Sequence, residues 1–223
     1  YMSSAKIINT KITDNESNGQ GGGIYASGGY VINCLVSNNT AQMSGGVYGS
    51  PALVLNSTIV NNSSEHSYAT DYAGLRTHSS EVINCIVWGN THNGEYAEVL
   101  TSGGSVSHSA IHGGYAGTNN IDIALDNDGD NESLNYIRFI DAEHDVFELT
   151  DNSVAVDAGL NGNANIPNFD LNGKERVKDV TIDMGAFEQH CVKYRYVSKT
   201  MGLGQTMSFY DMTITEPGRY EKR

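Results

Sequence analysis

Ile32-Asn33-Cys34-Leu35-Val36-Ser37-Asn38-Asn39 is one of four versions of a single phrase in this chain. The others are Ile8-Asn9-Thr10-Lys11-Ile12-Thr13-Asp14-Asn15, Leu55-Asn56-Ser57-Thr58-Ile59-Val60-Asn61-Asn62 and Ile83-Asn84-Cys85-Ile86-Val87-Trp88-Gly89-Asn90. Their first Asn residues fall at 9, 33, 56 and 84, in steps of 24, 23 and 28. Val106-Ser107-His108-Ser109-Ala110 continues the series 23 residues later in degraded form, so five rungs are visible. A repeat of fixed period means one supersecondary unit stacked on itself.

A second signature, Gly23-Ile24-Tyr25, Gly46-Val47-Tyr48 and Gly74-Leu75-Arg76, precedes three successive phrases at constant separation. Apolar or small residues alternate within each phrase, as in Ile32, Cys34, Val36 and Leu55, Ser57, Ile59, which is the period of a strand pointing these residues inward. Gly pairs and Asn-rich corners supply left-handed backbone at the bends between strands. The period predicts an all-β, right-handed parallel β-helix with three short strands per coil. Stacked laps at about 4.8 Å would place Val36, Ile59 and Val87 in one file and join Asn15, Asn39, Asn62 and Asn90 in an internal amide ladder, a structural role.

The same logic places Tyr25, Tyr48 and Arg76 in a stack on an outer face, where aromatic rings and a guanidinium offer surface to sugar rings or a protein partner. It also leaves Val31, Leu35, Val82 and Ile86 on an apolar outer stripe, to be covered by a loop or another chain. Cys34 and Cys85 occupy one position two laps apart, roughly 10 Å, beyond the reach of a disulfide. Cys191 stands alone in the tail.

The 223 residues hold 25 Gly and 3 Pro, a turn-rich composition that suits a solenoid. The net charge is -13 and unevenly spread. Residues 1–120 carry seven acids and three bases, 121–189 sixteen and four, and 190–223 three and six. An acidic chain without a basic stripe is a poor partner for nucleic acid. The sequence has no run of 18 apolar residues to span a membrane. The first residues already lie inside a rung, which marks the chain as a piece of something longer, its C-terminal part.

From Ile121 the text becomes irregular, and it contains Ser153-Val154-Ala155-Val156-Asp157-Ala158-Gly159, Asp170-Leu171-Asn172-Gly173-Lys174-Glu175-Arg176 and Ile182-Asp183-Met184-Gly185-Ala186-Phe187-Glu188. This string resembles the C-terminal end of choice-of-anchor Q domain proteins, bacterial surface β-helices. The rungs upstream resemble, more loosely, the repeats of polymorphic outer-membrane proteins. The resemblance implies an exported protein at the bacterial cell surface or outer membrane, in which the motif block precedes a sorting tail; residues 190–223 match no anchor signal. Three regions are therefore expected: rungs over 1–115, a cap over 116–189 and a tail over 190–223. In the cap, Asp157, Asp170, Asp183 and Arg176 are expected to form a charge and turn network over the last rung, above Phe139, Phe147, Leu149 and Phe187.

Asp126, Asp128 and Asp130 around Gly129 are candidate calcium ligands, the one cofactor the sequence suggests. The EF-hand rule fails, since Ala124 and Asn131 stand where a ligand and the required Gly should be, and a solvated loop of Asx turns is the competing reading. For catalysis the available groups are Glu95, Glu98, Asp71, His66, His78 and His92, around the longer step between Asn62 and Asn84, with each His expected on the surface. The expectation is a non-catalytic adhesin or glycan-binding or protein-binding surface. A polysaccharide lyase or glycoside hydrolase, and a purely structural stalk or assembly component, are the alternatives.

Overall fold

The computed structural model describes residues 1, 3–65, 72–124, 135–177 and 181–189, with the backbone of two short strands at 207–209 and 212–214. The chain forms two compact units, Tyr1–His190 and Cys191–Arg223. In the second, Met207–Phe209 and Met212–Ile214 pair antiparallel.

The first unit is a parallel β-helix. Four sheets run along it, each built from one strand per lap. Sheet I holds Lys6–Ile8, Tyr30–Ile32, Leu53–Leu55, Glu81–Ile83 and Ser105–Ser107. Sheet II holds Lys11–Thr13, Leu35–Ser37, Thr58–Val60, Ile86–Trp88, Ala110–His112 and Ile121–Ile123. Sheet III holds Glu16–Gln20, Thr40–Met43, Ser63–Ser64, Thr91–His92 and, antiparallel at its end, Glu95–Tyr96. Sheet IV holds Ile24–Ala26, Val47–Gly49, Leu75–His78 and Val99–Ser102.

Ile59 pairs with Val36 on one side and Val87 on the other, and all three are fully buried. Like residues therefore lie in files, as the period requires. The last step is 24 residues rather than 23, because Ile83 pairs with Ser107.

A lap carries four strands where three were expected, because each phrase is two strands and a corner. The corner residues Asn9, Asn33, Asn56, Asn84 and His108 have φ between 45° and 54°, the left-handed region that Asn tolerates better than most residues. The next residue then clips the bend. Thr10, Cys34, Ser57, Cys85 and Ser109 each donate to the carbonyl two residues back, at 2.9, 3.2, 2.9, 3.3 and 2.9 Å.

That corner also resets the alternation between faces. Val31 and Val82, expected outside, join the interior with Val54 and Val106, while Ile32 and Leu55, expected inside, point out and pack with Leu53. Leu35 and Ile86 do face out, as expected.

The outward apolar stripe is covered by the chain's own C-terminal region. Leu35, Val60, Ile86 and Ala110 pack beneath Phe139, Phe147, Leu149, Met184 and Phe187, and Ile32 and Leu55 beneath Ile166. Residues 135–177 and 181–189 thus do not sit only over the last rung. They run along the flank of sheets I and II, touching laps from Lys11, whose ammonium lies 5.8 Å from the Phe187 ring, to Ala110. Each buried Phe, Leu or Ile on that flank contributes about 1.5–3 kcal/mol.

Candidate functional site

In-register parallel pairing puts Tyr25, Tyr48, Arg76 and Leu100 in one column on the outer face of sheet IV. Their inward neighbours Ile24, Val47, Leu75 and Val99 are buried, which holds the column's backbone rigid. Tyr25 and Tyr48 have ring centroids 5.6 Å apart and tilted by 58°, and the Arg76 guanidinium lies 5.7 Å from the Tyr48 ring. Tyr1, 84 % exposed, extends the stack edge-on at 5.2 Å from Tyr25. The three residues picked from the sequence are brought together, half-exposed. On the same side of sheet IV, His78 is exposed and its Nδ1 lies 2.6 Å from Ser102 Oγ.

The amide ladder forms as expected. Asn15, Asn39 and Asn62 each direct both backbone N–H and Nδ2 to the Oδ1 of the next Asn, at 3.0 Å for each backbone donor and 2.8–2.9 Å for each amide. The Gly-rich signature makes room for it. A Cβ at Gly23, Gly46 or Gly74 would lie 3.0, 3.2 or 2.7 Å from the Nδ2 of Asn39, Asn62 or Asn90.

The ladder ends on Glu98. Asn90 donates Nδ2 to Glu98 Oε2 at 2.6 Å and its backbone N–H to the same carboxylate at 3.3 Å. His112 Nδ1 reaches Glu98 Oε1 at 3.2 Å, and Tyr96 meets the His112 ring edge-on at 4.9 Å. Glu98, a candidate acid from the sequence, is thus buried in the amide column. The missed signal was position: Glu98 stands eight residues past Asn90, before the next lap is complete.

The remaining catalytic candidates are scattered. Glu95 is exposed at the antiparallel end of sheet III. His92, expected on the surface, is only 7 % exposed, and its Nδ1 lies 2.9 Å from Ser64 Oγ. His66 and Asp71, and the candidate calcium ligands Asp126, Asp128 and Asp130, lie outside the described residues.

The motif acids form the expected turn network, joined by Glu188. Asp170 Oδ1 accepts the N–H groups of Asn172 and Lys174 at 2.8 Å each, and its Oδ2 accepts Glu188 N–H at 2.8 Å. Asp183 Oδ1 accepts Asp157 N–H at 2.7 Å and Oδ2 accepts Gln189 N–H at 2.5 Å. Arg176, fully buried, donates to Asn33 Oδ1, to the Gly185 carbonyl at 2.9 Å and to Glu188 at 3.3 Å. One guanidinium thus faces the buried carboxylates of Asp170, Asp183 and Glu188. Burial, then Asp183, pushes the Glu188 carboxyl up to about 8; burial raises Asp183 too and lowers Arg176. These groups act as a clamp between the flank and the outward Asn column: Asn84 Oδ1 accepts Leu160 N–H at 2.8 Å, and Asn84 Nδ2 donates to the Leu160 carbonyl at 3.0 Å.

Cys34 and Cys85 are free thiols inside the coil, and burial pushes them up to about 11 and about 12. Cys191 lies outside the described residues. No family model matches the chain, and no curated protein or solved structure matches it.

Proposed function

We propose that this chain belongs to an exported bacterial cell-surface β-helix of the choice-of-anchor Q type, and that its outer column on sheet IV binds glycan without turnover. The observation that carries the reading is the Tyr25, Tyr48 and Arg76 stack, held in register by hydrogen-bonded strands at 5.6 and 5.7 Å. Aromatic faces pack on the C–H faces of sugar rings, and a guanidinium adjoining them donates in a fixed fork to hydroxyl or carboxylate oxygens. Little order is lost on binding, because β pairing sets the spacing of the rings in advance.

Two observations weigh against the competing classes. Two of the candidate acids and bases, Glu98 and His92, are engaged in the amide column and with Ser64, away from a groove-lining role. The apolar stripe that a stalk would offer to a partner is covered by the chain's own flank. Among the described residues no helix is long and apolar enough to cross a membrane.

A glycan array probed with the protein and with Tyr48→Ala tests the reading. Retention of a defined set of glycans, lost in the variant, is expected. Silence across the array sinks it, and appearance of new reducing ends or unsaturated uronates during incubation with the retained glycans replaces it with an enzyme.

A further inference from the structure

Trp88 stands on a different side of the coil from the tyrosine column, at the outward end of strand Ile86–Trp88 in sheet II. Strands Phe139–Asp141 and Val146–Leu149 pair antiparallel above it, joined by a 3-10 turn over Ala142–His144. Trp88 meets Phe139 at 5.7 Å and 76°, and Phe139 meets Phe147 at 5.3 Å and 82°, so the rings brace one another edge to face. Beside them opens a cavity of about 350 Å³, walled by Trp88, Tyr136, Phe139 and Ile140 and carrying Asp141 and Glu143. Its size falls in the range of small-ligand sites.

Two kinds of group converge there. The ring and aliphatic walls are apolar. Asp141, with its side chain 45 % exposed, and the exposed Glu143 offer acceptors; His144 Nδ1 lies 2.9–3.0 Å from both oxygens of Asp141 and steadies that carboxylate.

The geometry points to a site for one sugar ring. A hexose presents C–H faces to the aromatic wall and hydroxyl donors to Asp141 and Glu143. Other ligand classes answer fewer of these groups. An organic cation suits the rings, but His144 already stands against the Asp141 carboxylate that would answer its charge. An anion meets two carboxylates, and the His144 beside them is already engaged with Asp141. An apolar ligand satisfies none of the polar groups.

This site is separate from the tyrosine column, and its test is independent of that reading. Trp88 is the chain's one tryptophan, so its fluorescence reports on this pocket. Titration with glucose, galactose, mannose and N-acetylglucosamine, with choline as the cation control, is expected to give a saturable change for at least one sugar in the millimolar range, as suits a ligand of about 12 non-hydrogen atoms. Glu143→Gln and Asp141→Asn, both at exposed positions, should each weaken that response about tenfold while the thermal melt stays in place. Trp88→Phe, followed by saturation-transfer NMR, should weaken it similarly. Tyr48→Ala should leave it unchanged, which separates failure here from failure of the column. No saturable response to any of the sugars, saturation by choline in their place, or titrations unaltered in both carboxylate variants would overturn the assignment.

Discussion

The rungs and the flank bury polar groups in opposite ways. In the rungs each group is answered by its own copy one lap away: Asn39 accepts from Asn15 and donates to Asn62, at separations of 24 and 23 residues. On the flank each group is answered by unrelated partners, as Arg176 is by Gly185, Glu188 and, across 143 residues, Asn33. A column is redundant along its length, whereas a unique clamp has no neighbour to share its load. Repetition spreads stability over many laps, as nearest-neighbour coupling does in solenoids generally.

Arg176→Ala should break the comparison most sharply. It removes a fully buried side chain and leaves Asp170, Asp183 and Glu188 without their cation, a loss of about 3–5 kcal/mol in urea denaturation. Arg176→Lys should recover little of it, since an ammonium does not reproduce the fork to Asn33, Gly185 and Glu188. A cost below about 1 kcal/mol would show that the flank is held by its apolar contacts alone.

Asn62→Ala in mid-column deprives two buried donors of Asn39 of their acceptor and should cost about 2–3 kcal/mol in the same experiment. Asn15→Ala, at the exposed first rung, should cost less than about 1 kcal/mol. Equal losses at both positions would mean that the column has no end effect and that position along it does not matter.

Among the described residues, the pH dependence between pH 5 and pH 8 comes from the flank. With Glu188 raised from 4.5 to about 8, the folded protein holds a proton there that the unfolded chain releases above pH 4.5. This contribution is therefore fully present below pH 4.5 and declines as pH rises toward 8, and the raised Asp183 acts in the same direction. Chemical denaturation at pH 5 and pH 8 should differ by on the order of 2 kcal/mol, more stable at pH 5, and Glu188→Gln should flatten the difference. A stability that rises with pH across this window would place the proton elsewhere.

Cys85→Ser gives the smallest effect. Ser57 and Ser109 occupy the same file and make the same bond to the carbonyl two residues back, so the exchange should cost within about 1 kcal/mol. With their thiols pushed up to about 11 and about 12, Cys34 and Cys85 should resist thiol reagents at pH 8 in the native state and react after unfolding, as read by peptide mapping.

The repeated half of the site was legible because its contacts have a period. The Asn ladder, the file of Val36, Ile59 and Val87, and the column of Tyr25, Tyr48 and Arg76 all follow from laps of 23 to 28 residues. Strand facing was half legible. Alternation is a reliable guide within a strand, but one left-handed residue at Asn33 or Asn84 shifts its phase, and composition alone does not mark that Asn as a corner rather than a strand residue. Glu98 as the ladder's terminus, and Trp88 as the wall of a pocket, escaped the reading because each occurs once.

The sequence by itself determined the lap length, the stacking order and the residues that meet their own copies, because parallel pairing carries a fixed spacing directly into space. Only the tertiary structure decided which side of each corner a side chain takes and where residues 135–177 and 181–189 lie. Those contacts join Leu160 to Asn84, Ala186 to Thr58 and Arg176 to Asn33, across 76, 128 and 143 residues. A contact made once at such a distance leaves no rhythm in the chain, and its partner is selected by shape, burial and charge after the coil has formed a surface to receive it.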